Sequence, residues 1–304
     1  MINIVYFGTH EFSATVLEYL IQSREFNIQK VITQPDRPVG RKQELQKSPV
    51  KLIAEKHNLE TKEPESLKNY QLETRGLDLN IVCQYGLIIP ESIIETPKFK
   101  TLNVHTSRLP KYRGASPIQG ALIAGEVETA NTIMLVDKKM DHGPILAEEA
   151  IKIAPDDTYL TLSEKMSKLA GPLLVKTALN WVNGKITPII QDDNDATYCK
   201  LLTREDGKID FQKSANDIYN LYRGLTPWPG IWTMWNNLRL KLLQIKPVDR
   251  AIPWGQIVWD NNKLLVGTSK KALEITELQL EGKKPMDAKS FVNGYKDFIG
   301  SILK

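Results

Sequence analysis

The sequence predicts an α/β chain in two parts: a parallel sheet covered by helices over residues 1–189 and a small β-barrel over 210–304, joined by a linker over 190–209. Three observations predict it. Strand and helix signals alternate through the first half, which is the order of a parallel sheet with helices on both faces. A polar run, Gln191-Asp192-Asp193-Asn194-Asp195, then breaks the periodicity. Beyond it, five of the six tryptophans fall among short β-like runs separated by Asn, Gly and Lys, the texture of a small barrel.

The elements follow in order. Ile2 to Phe7 reads as a strand, Gly8 as a turn, and Val16, Leu17, Leu20 and Ile21 as one face of an amphipathic helix. A second strand, Ile28 to Thr33, runs into Gln34 to Lys42, which is so rich in Pro and charge that a loop is expected. A helix over Pro49 to His57 and a strand over Leu79 to Cys83 come next. Tyr85-Gly86-Leu87-Ile88-Ile89-Pro90 turns away from that strand, and Thr101 to Val104 supplies another. Thr132 to Val136 and Ile145 to Ile153 read as two further strands. Asp156 to Val182 reads as a long helix with Asp156 or Asp157 as cap, an apolar stripe of Leu162, Met166, Leu169 and Leu173, a possible kink at Pro172 and a stop at Gly184. In the last third, Gln256 to Trp259, Leu264 to Gly267 and Ala272 to Leu280 are the strand candidates.

Composition limits what the chain can be. Its 304 residues, 41% hydrophobic and 25% charged, suit two modest domains. The N-terminus lacks a basic lead-in, and no apolar stretch approaches the roughly 20 residues of a membrane span. The only cysteines, Cys83 and Cys199, have neither metal-ligand nor redox spacing, so a reducing compartment, the cytoplasm, is expected. Residues 206–304 hold 15 Lys plus Arg against 10 Asp plus Glu, a balance of +5, while residues 1–205 hold 25 against 26. Such asymmetry fits either a polyanionic partner or a solvated lysine-rich face. Aromatic residues beside lysine are likewise open to two readings, a nucleic-acid surface with stacking platforms or the core of a small β domain.

The densest cluster of chemistry lies at Leu102 to Ala115 and at Asp141-His142-Gly143-Pro144. Side chains two apart on a strand share a face, so Asn103 and His105 project together. An amide, an imidazole and the carboxylate of Asp141 would polarise a carbonyl, stabilise an oxyanion and move a proton without a metal. Gly- and Pro-rich segments at strand ends are where an open α/β sheet binds ligands. Other chemistries fit poorly. The first turn, Phe7-Gly8-Thr9-His10-Glu11-Phe12, lacks the glycine spacing of a dinucleotide site, no phosphate loop is present, and His10, His57, His105 and His142 are too scattered for a recognisable metal centre.

Asn103-Val104-His105, Ser107 to Pro110, Tyr112 to Gln119 and Met140 to Ile145 together resemble the signature of the folate-dependent formyltransferases. The similarity extends to Thr33-Gln34-Pro35-Asp36-Arg37-Pro38 and to Asn216 through Pro229, and covers about residues 2 to 290. The resemblance implies a Rossmann-like formyltransferase domain followed by an OB-like barrel that helps hold tRNA. It implies transfer of a formyl group from 10-formyltetrahydrofolate to the α-amine of methionine on initiator tRNA, with no metal and with the protein expected to be a monomer. Asn103, His105 and Asp141 become the catalytic set; Ser107, Arg108, Leu109 and Pro110, with Tyr85, Gly86 and Leu87, line the folate site. Arg37, Arg41 and Lys42 in the loop after the second strand, and Lys283 and Lys284 in the barrel, with Lys270 and Lys271, are the candidate tRNA contacts. Arg108 stands where the family usually has leucine, and Gln84 where a small residue usually precedes Tyr-Gly. Rival readings are a formyltransferase acting on an amino sugar nucleotide, an inactive tRNA-binding relative and a dehydrogenase.

Overall fold

The computed structural model describes residues 1–39 and 43–303, which form two compact units. The first comprises Met1–Pro117, Glu128–Lys152 and Ser163–Cys199; the second comprises Ile118–Val127, Ile153–Leu162 and Lys200–Lys304, of which Lys304 is not described. Residues 190–199 of the expected linker therefore group with the first unit. No helix among the described residues is long and apolar enough to cross a membrane.

The first unit opens with β1 (Ile2–Gly8), whose Ile4, Val5, Tyr6 and Phe7 are fully buried. A continuous apolar run of this kind belongs to a strand covered on both faces. Helix α1 (Glu11–Ser23) buries Phe12, Val16, Leu17 and Leu20 and ends at Arg24 in the left-handed conformation. Next come β2 (Phe26–Ile32), β3 (Arg37–Val39) and β4 (Glu44–Gln46). Strands β3 and β4 pair antiparallel, with Pro38 opposite Leu45, so part of the expected loop is a hairpin. An isolated two-stranded ribbon tolerates proline because its outer edge needs no ladder donor. Arg41 and Lys42 lie outside the described residues. Helix α2 (Pro49–Lys56) is capped by Ser48, whose hydroxyl accepts from the Lys51 amide at 3.1 Å, with Pro at the first turn.

Then follow β5 (Thr61–Lys62), β6 (Leu79–Cys83), the short helix α3 (Glu91–Ile94), β7 (Thr101–His105), β8 (Arg113–Gly114), α4 (Pro117–Ile123), β9 (Glu128–Leu135) and β10 (Ile145–Lys152). The seven-stranded sheet runs β10-β9-β7-β6-β1-β2-β5. From β5 to β7 all neighbours are parallel, whereas β9 pairs antiparallel with both β7 and β10. A direct turn joins β9 to β10, and only antiparallel strands can be joined that way. The chain leaves β1 toward β2 and β5, then returns to place β6 on the other side, so the order reverses between β1 and β6.

Helix α5 (Tyr159–Val182) carries Pro172 and closes at Gly184, φ +68°. Its fully buried line is Leu162, Met166, Ala170, Leu174 and Ala178, whereas Leu169 of the expected stripe is exposed. Each step of four overshoots the 3.6-residue turn, so this buried line drifts around the helix axis and leaves Leu169 outside it. Strand β11 (Tyr198–Cys199) pairs with β8.

The second unit contains α6 (Ala215–Leu225), β12 (Ile231–Trp235), β13 (Leu238–Val248), β14 (Ile257–Asp260), β15 (Lys263–Gly267), β16 (Ala272–Leu280), β17 (Met286–Asp287) and α7 (Ala288–Gly294). Its antiparallel sheet follows β12-β13-β16-β15-β14, with β17 beside β16. Ser214 and Asp217 cap α6 reciprocally. The tryptophans of this unit do not share one environment. Trp232 and Trp235 are buried, Trp259 packs against the core, and Trp228 and Trp254 stand half exposed.

Trp235 meets Phe291 and Phe298 edge-on, with centroids 6.1 and 5.0 Å away. Phe291 is fully buried, so Phe291→Ala is expected to cost about 3–5 kcal/mol. Urea unfolding followed by tryptophan emission measures this, and a loss near zero would refute the assignment of Phe291 to the core.

Candidate active site

Strand β7 delivers the first two groups. Alternation along Thr101–His105 puts Asn103 and His105 on one face, half-buried and buried respectively, with Val104 on the other. Antiparallel pairing sets Asn103 opposite Met134 and His105 opposite Thr132 of β9.

The turn between β9 and β10 delivers the third. Asp141 takes the left-handed conformation, φ +51°, which Asp tolerates better than most residues. One of its oxygens, Oδ2, accepts the Gly114 amide at 2.8 Å; the other, Oδ1, faces His105 Nδ1 at 3.6 Å. On its far side the imidazole approaches the Tyr112 carbonyl, Nε2 to oxygen 3.2 Å. A carbonyl only accepts, so Nε2 donates in that bond and Nδ1 is the nitrogen turned to the carboxylate.

Two glycines make the arrangement possible. Gly114 has φ +115°, and a Cβ there would lie 2.2 Å from the Cys199 carbonyl oxygen. At Gly143 a Cβ would lie 1.9 Å from the Leu135 carbonyl oxygen. The segment around Gly114 is laced to β11 through Arg113 N–H to Thr197 O at 2.9 Å and Ala115 N–H to Cys199 O at 3.1 Å.

Behind the turn lies a group the sequence reading missed. The Gln191 amide donates to the carbonyls of Asp141 and Gly143, at 2.9 and 2.8 Å. Its oxygen accepts from Arg113, which is 1% exposed. Arg113 also donates to Asp193 at 2.9 Å and holds that carboxyl below its ordinary value. His142 bridges Asp137, at 2.7 Å, and Asp193, at 3.4 Å.

The segments expected to hold folate follow adjacent parallel strands. After β6, Tyr85 is buried and its carbonyl accepts from Thr9 and Gln34, at 2.9 and 2.8 Å. Burial pushes its phenol up to about 12. Gly86 is exposed with φ +84°, Leu87 is half-buried, and Gln84 has φ +46°. After β7, Ser107 is fully buried and donates to the Lys111 carbonyl at 2.6 Å, Leu109 is buried, and the Leu109–Pro110 peptide is cis. Arg108 differs: it is exposed and pairs with Glu128 at 2.8 Å and Glu148 at 3.1 Å. Cys83 is core, its thiol pushed up to about 12 by burial. Arg37 lies exposed in the β3–β4 hairpin, and Lys270, Lys271, Lys283 and Lys284 are exposed in the second unit, the last two in the turn between β16 and β17.

A model of the formyl transferase family matches residues 2–178, and one of the formyl transferase C-terminal domain matches residues 201–296. The chain belongs to the formyl transferase family. It is 42% identical to the methionyl-tRNA formyltransferase of Caldicellulosiruptor saccharolyticus, covering 99% of both chains. With the methionyl-tRNA formyltransferase of Halalkalibacterium halodurans it shares 41% identity over 99% of this chain and 98% of the other. Among solved structures, the fold resembles an N-formyltransferase from Helicobacter canadensis in complex with folinic acid and dTDP-3-aminofucose, at TM-score 0.68 and 19% identity, covering 90% of this chain and 99% of that one. It also resembles the methionyl-tRNA formyltransferase from Clostridium thermocellum, at TM-score 0.56 and 18% identity over 81% of this chain and 93% of that one.

In this formyl transferase, Gly114→Ala would need both a left-handed backbone and room that the Cys199 carbonyl occupies. The substitution is expected to move the amide that holds Asp141 and to lower turnover by about 10²-fold, the effect of a displacement near 1 Å. Steady-state kinetics on protein shown folded by thermal melting checks this; wild-type rates would refute it.

Proposed function

We propose that this protein transfers a formyl group from 10-formyltetrahydrofolate to the α-amine of methionine carried on initiator tRNA. The observation that carries the reading is the His105–Asp141 pair at the end of β7 with Asn103 on the same strand face, in a chain that matches methionyl-tRNA formyltransferases over nearly its whole length.

The chemistry follows from what each group can do. The neutral amine attacks the formyl carbon, and charge collects on the formyl oxygen as a tetrahedral intermediate forms. The bond from that carbon to the donor nitrogen then breaks; the amine loses one proton and the departing nitrogen gains one. The Asn103 amide donates to the oxyanion, a contribution of about 10²- to 10³-fold for a positioned donor. Asp141 orients His105, stabilises positive charge arising on the ring, and with it carries the proton from the attacking amine, a general acid/base contribution of roughly 10²- to 10⁴-fold. The gap of 3.6 Å between Nδ1 and Oδ1 is longer than a hydrogen bond, and such pairs tighten in the reacting complex. The folate donor lies against the turns after β6 and β7, with Tyr85, Gly86, Leu87, Ser107, Leu109 and Pro110 as its contacts.

For tRNA, the exposed Lys283 and Lys284, the +5 balance of residues 206–304 and Arg37, Arg41 and Lys42 supply phosphate neutralisation. In this reading the enzyme works as a monomer in the cytoplasm, with charged initiator tRNA as its acceptor.

Asp141→Asn and His105→Ala are each expected to lower kcat by at least about 10²-fold while leaving folate binding, measured by fluorescence titration, near the wild-type value. Comparable losses in both would remove the catalytic roles. Purified enzyme offered methionyl initiator tRNA, methionyl elongator tRNA and a dTDP-amino sugar is expected to formylate the initiator tRNA; preferential formylation of the sugar would establish the rival substrate.

Replacing Lys283 and Lys284 by Gln is expected to raise KM for tRNA and to flatten the log–log salt dependence by about 1–2, since each phosphate contact contributes a little under one. An unchanged slope would exclude this turn from the tRNA contact.

A further inference from the structure

We infer that Gln191 is a positioning residue for the reaction, holding Asp141 in place through its backbone while Arg113 fixes the glutamine. The inference rests on the catalytic role assigned to Asp141.

Gln191 is 7% exposed and uses both ends of its carboxamide. The nitrogen donates to the carbonyls of Asp141 and Gly143, at 2.9 and 2.8 Å, so it spans the tip of the catalytic turn. The oxygen accepts from Arg113 Nε and Nη2, at 3.0 and 2.9 Å. Guanidinium groups only donate and carbonyls only accept, so one orientation of the amide satisfies all four contacts. No other side chain of this length offers two donors on one atom and an acceptor on its neighbour.

Arg113 is built as a fixed post. It is 1% exposed, and besides Gln191 it donates to Asp193 at 2.9 Å and lies 6.0 Å from the centre of the Tyr198 ring. The adjacent residue, Gly114, donates its amide to Asp141 Oδ2 at 2.8 Å. The dipeptide Arg113-Gly114 therefore governs Asp141 twice, at the carboxylate directly and at the backbone through Gln191. Because Asp141 is left-handed, a small rotation of its peptide would swing Oδ1 away from His105. Gln191 opposes that rotation without touching a reacting atom.

The test is a double-mutant cycle on formyl transfer with Gln191→Glu and Asp141→Asn. Glutamate keeps the size and the acceptor for Arg113 but loses both donors to the turn. Gln191→Glu is expected to lower kcat by about 10²-fold with KM for the formyl donor within about two-fold. In the Asp141→Asn background the same change is expected to cost less than about three-fold, because residues acting through one group are not additive. A wild-type kcat for Gln191→Glu beside an impaired Asp141→Asn would overturn the inference and leave the role of Asp141 standing, as would equal losses in both backgrounds. An Asp141→Asn enzyme with wild-type turnover would instead remove the role of Asp141 and the inference with it. Gln191→Asn is carried through the same cycle as an uncharged second variant, with the same pattern of losses expected in the two backgrounds. Its shorter side chain reaches the turn or Arg113 but not both, and it replaces Gln191→Glu if that variant melts below the assay temperature.

Discussion

The site depends on one carboxylate whose two oxygens are given different tasks. Asp141 Oδ2 is occupied by the Gly114 amide, so the remaining oxygen is the one presented to His105. A carboxylate free to rotate would spread itself between partners; here a backbone donor removes that freedom. The left-handed backbone of Asp141, the open φ of Gly114 and the tight passage at Gly143 are all consequences. These residues are where backbone geometry must meet chemistry, and only glycine fits the close approaches to the Cys199 and Leu135 carbonyls.

Sheet topology explains why the groups collect at one edge. Strand order reverses between β1 and β6, and ligands of open α/β sheets bind beyond the carboxyl ends of strands at such a reversal. Thr9, just after β1, donates to the Tyr85 carbonyl, just after β6, at that reversal. Strand β7 runs parallel beside β6, so the turn at Tyr85 and the end at His105 lie on neighbouring strands of the same edge. The antiparallel β9–β10 hairpin then returns Asp141 to the end of β7.

Local signals made much of this legible. Asn103 and His105 announce themselves because strand periodicity is two, and Asp141 because a Gly-Pro turn follows a strand. The alternation of strands and helices likewise needs only neighbouring residues. Contacts across long stretches of chain were not legible. Gln191 reaches Asp141 from fifty positions away and sits in a polar run whose composition reads as solvent-facing, so it passed for linker. Arg113 is charged yet fully buried, against the usual habit of arginine. Pro38 suggested a loop because proline interrupts most strands, and only the pairing with Leu45 shows a ribbon. Helix α6 carried a readable cap in Ser214 and Asp217, a signal available but unused.

The departure at Arg108 has a local resolution. Its neighbours Ser107 and Leu109 are buried, whereas the side chain of residue 108 is exposed. There its guanidinium is committed to Glu128 and Glu148, side chains of β9 and β10 that neutralise it where it stands. A leucine in that position would be an exposed apolar residue with two uncompensated carboxylates beside it. The arginine thus answers its acidic neighbours on the outer face.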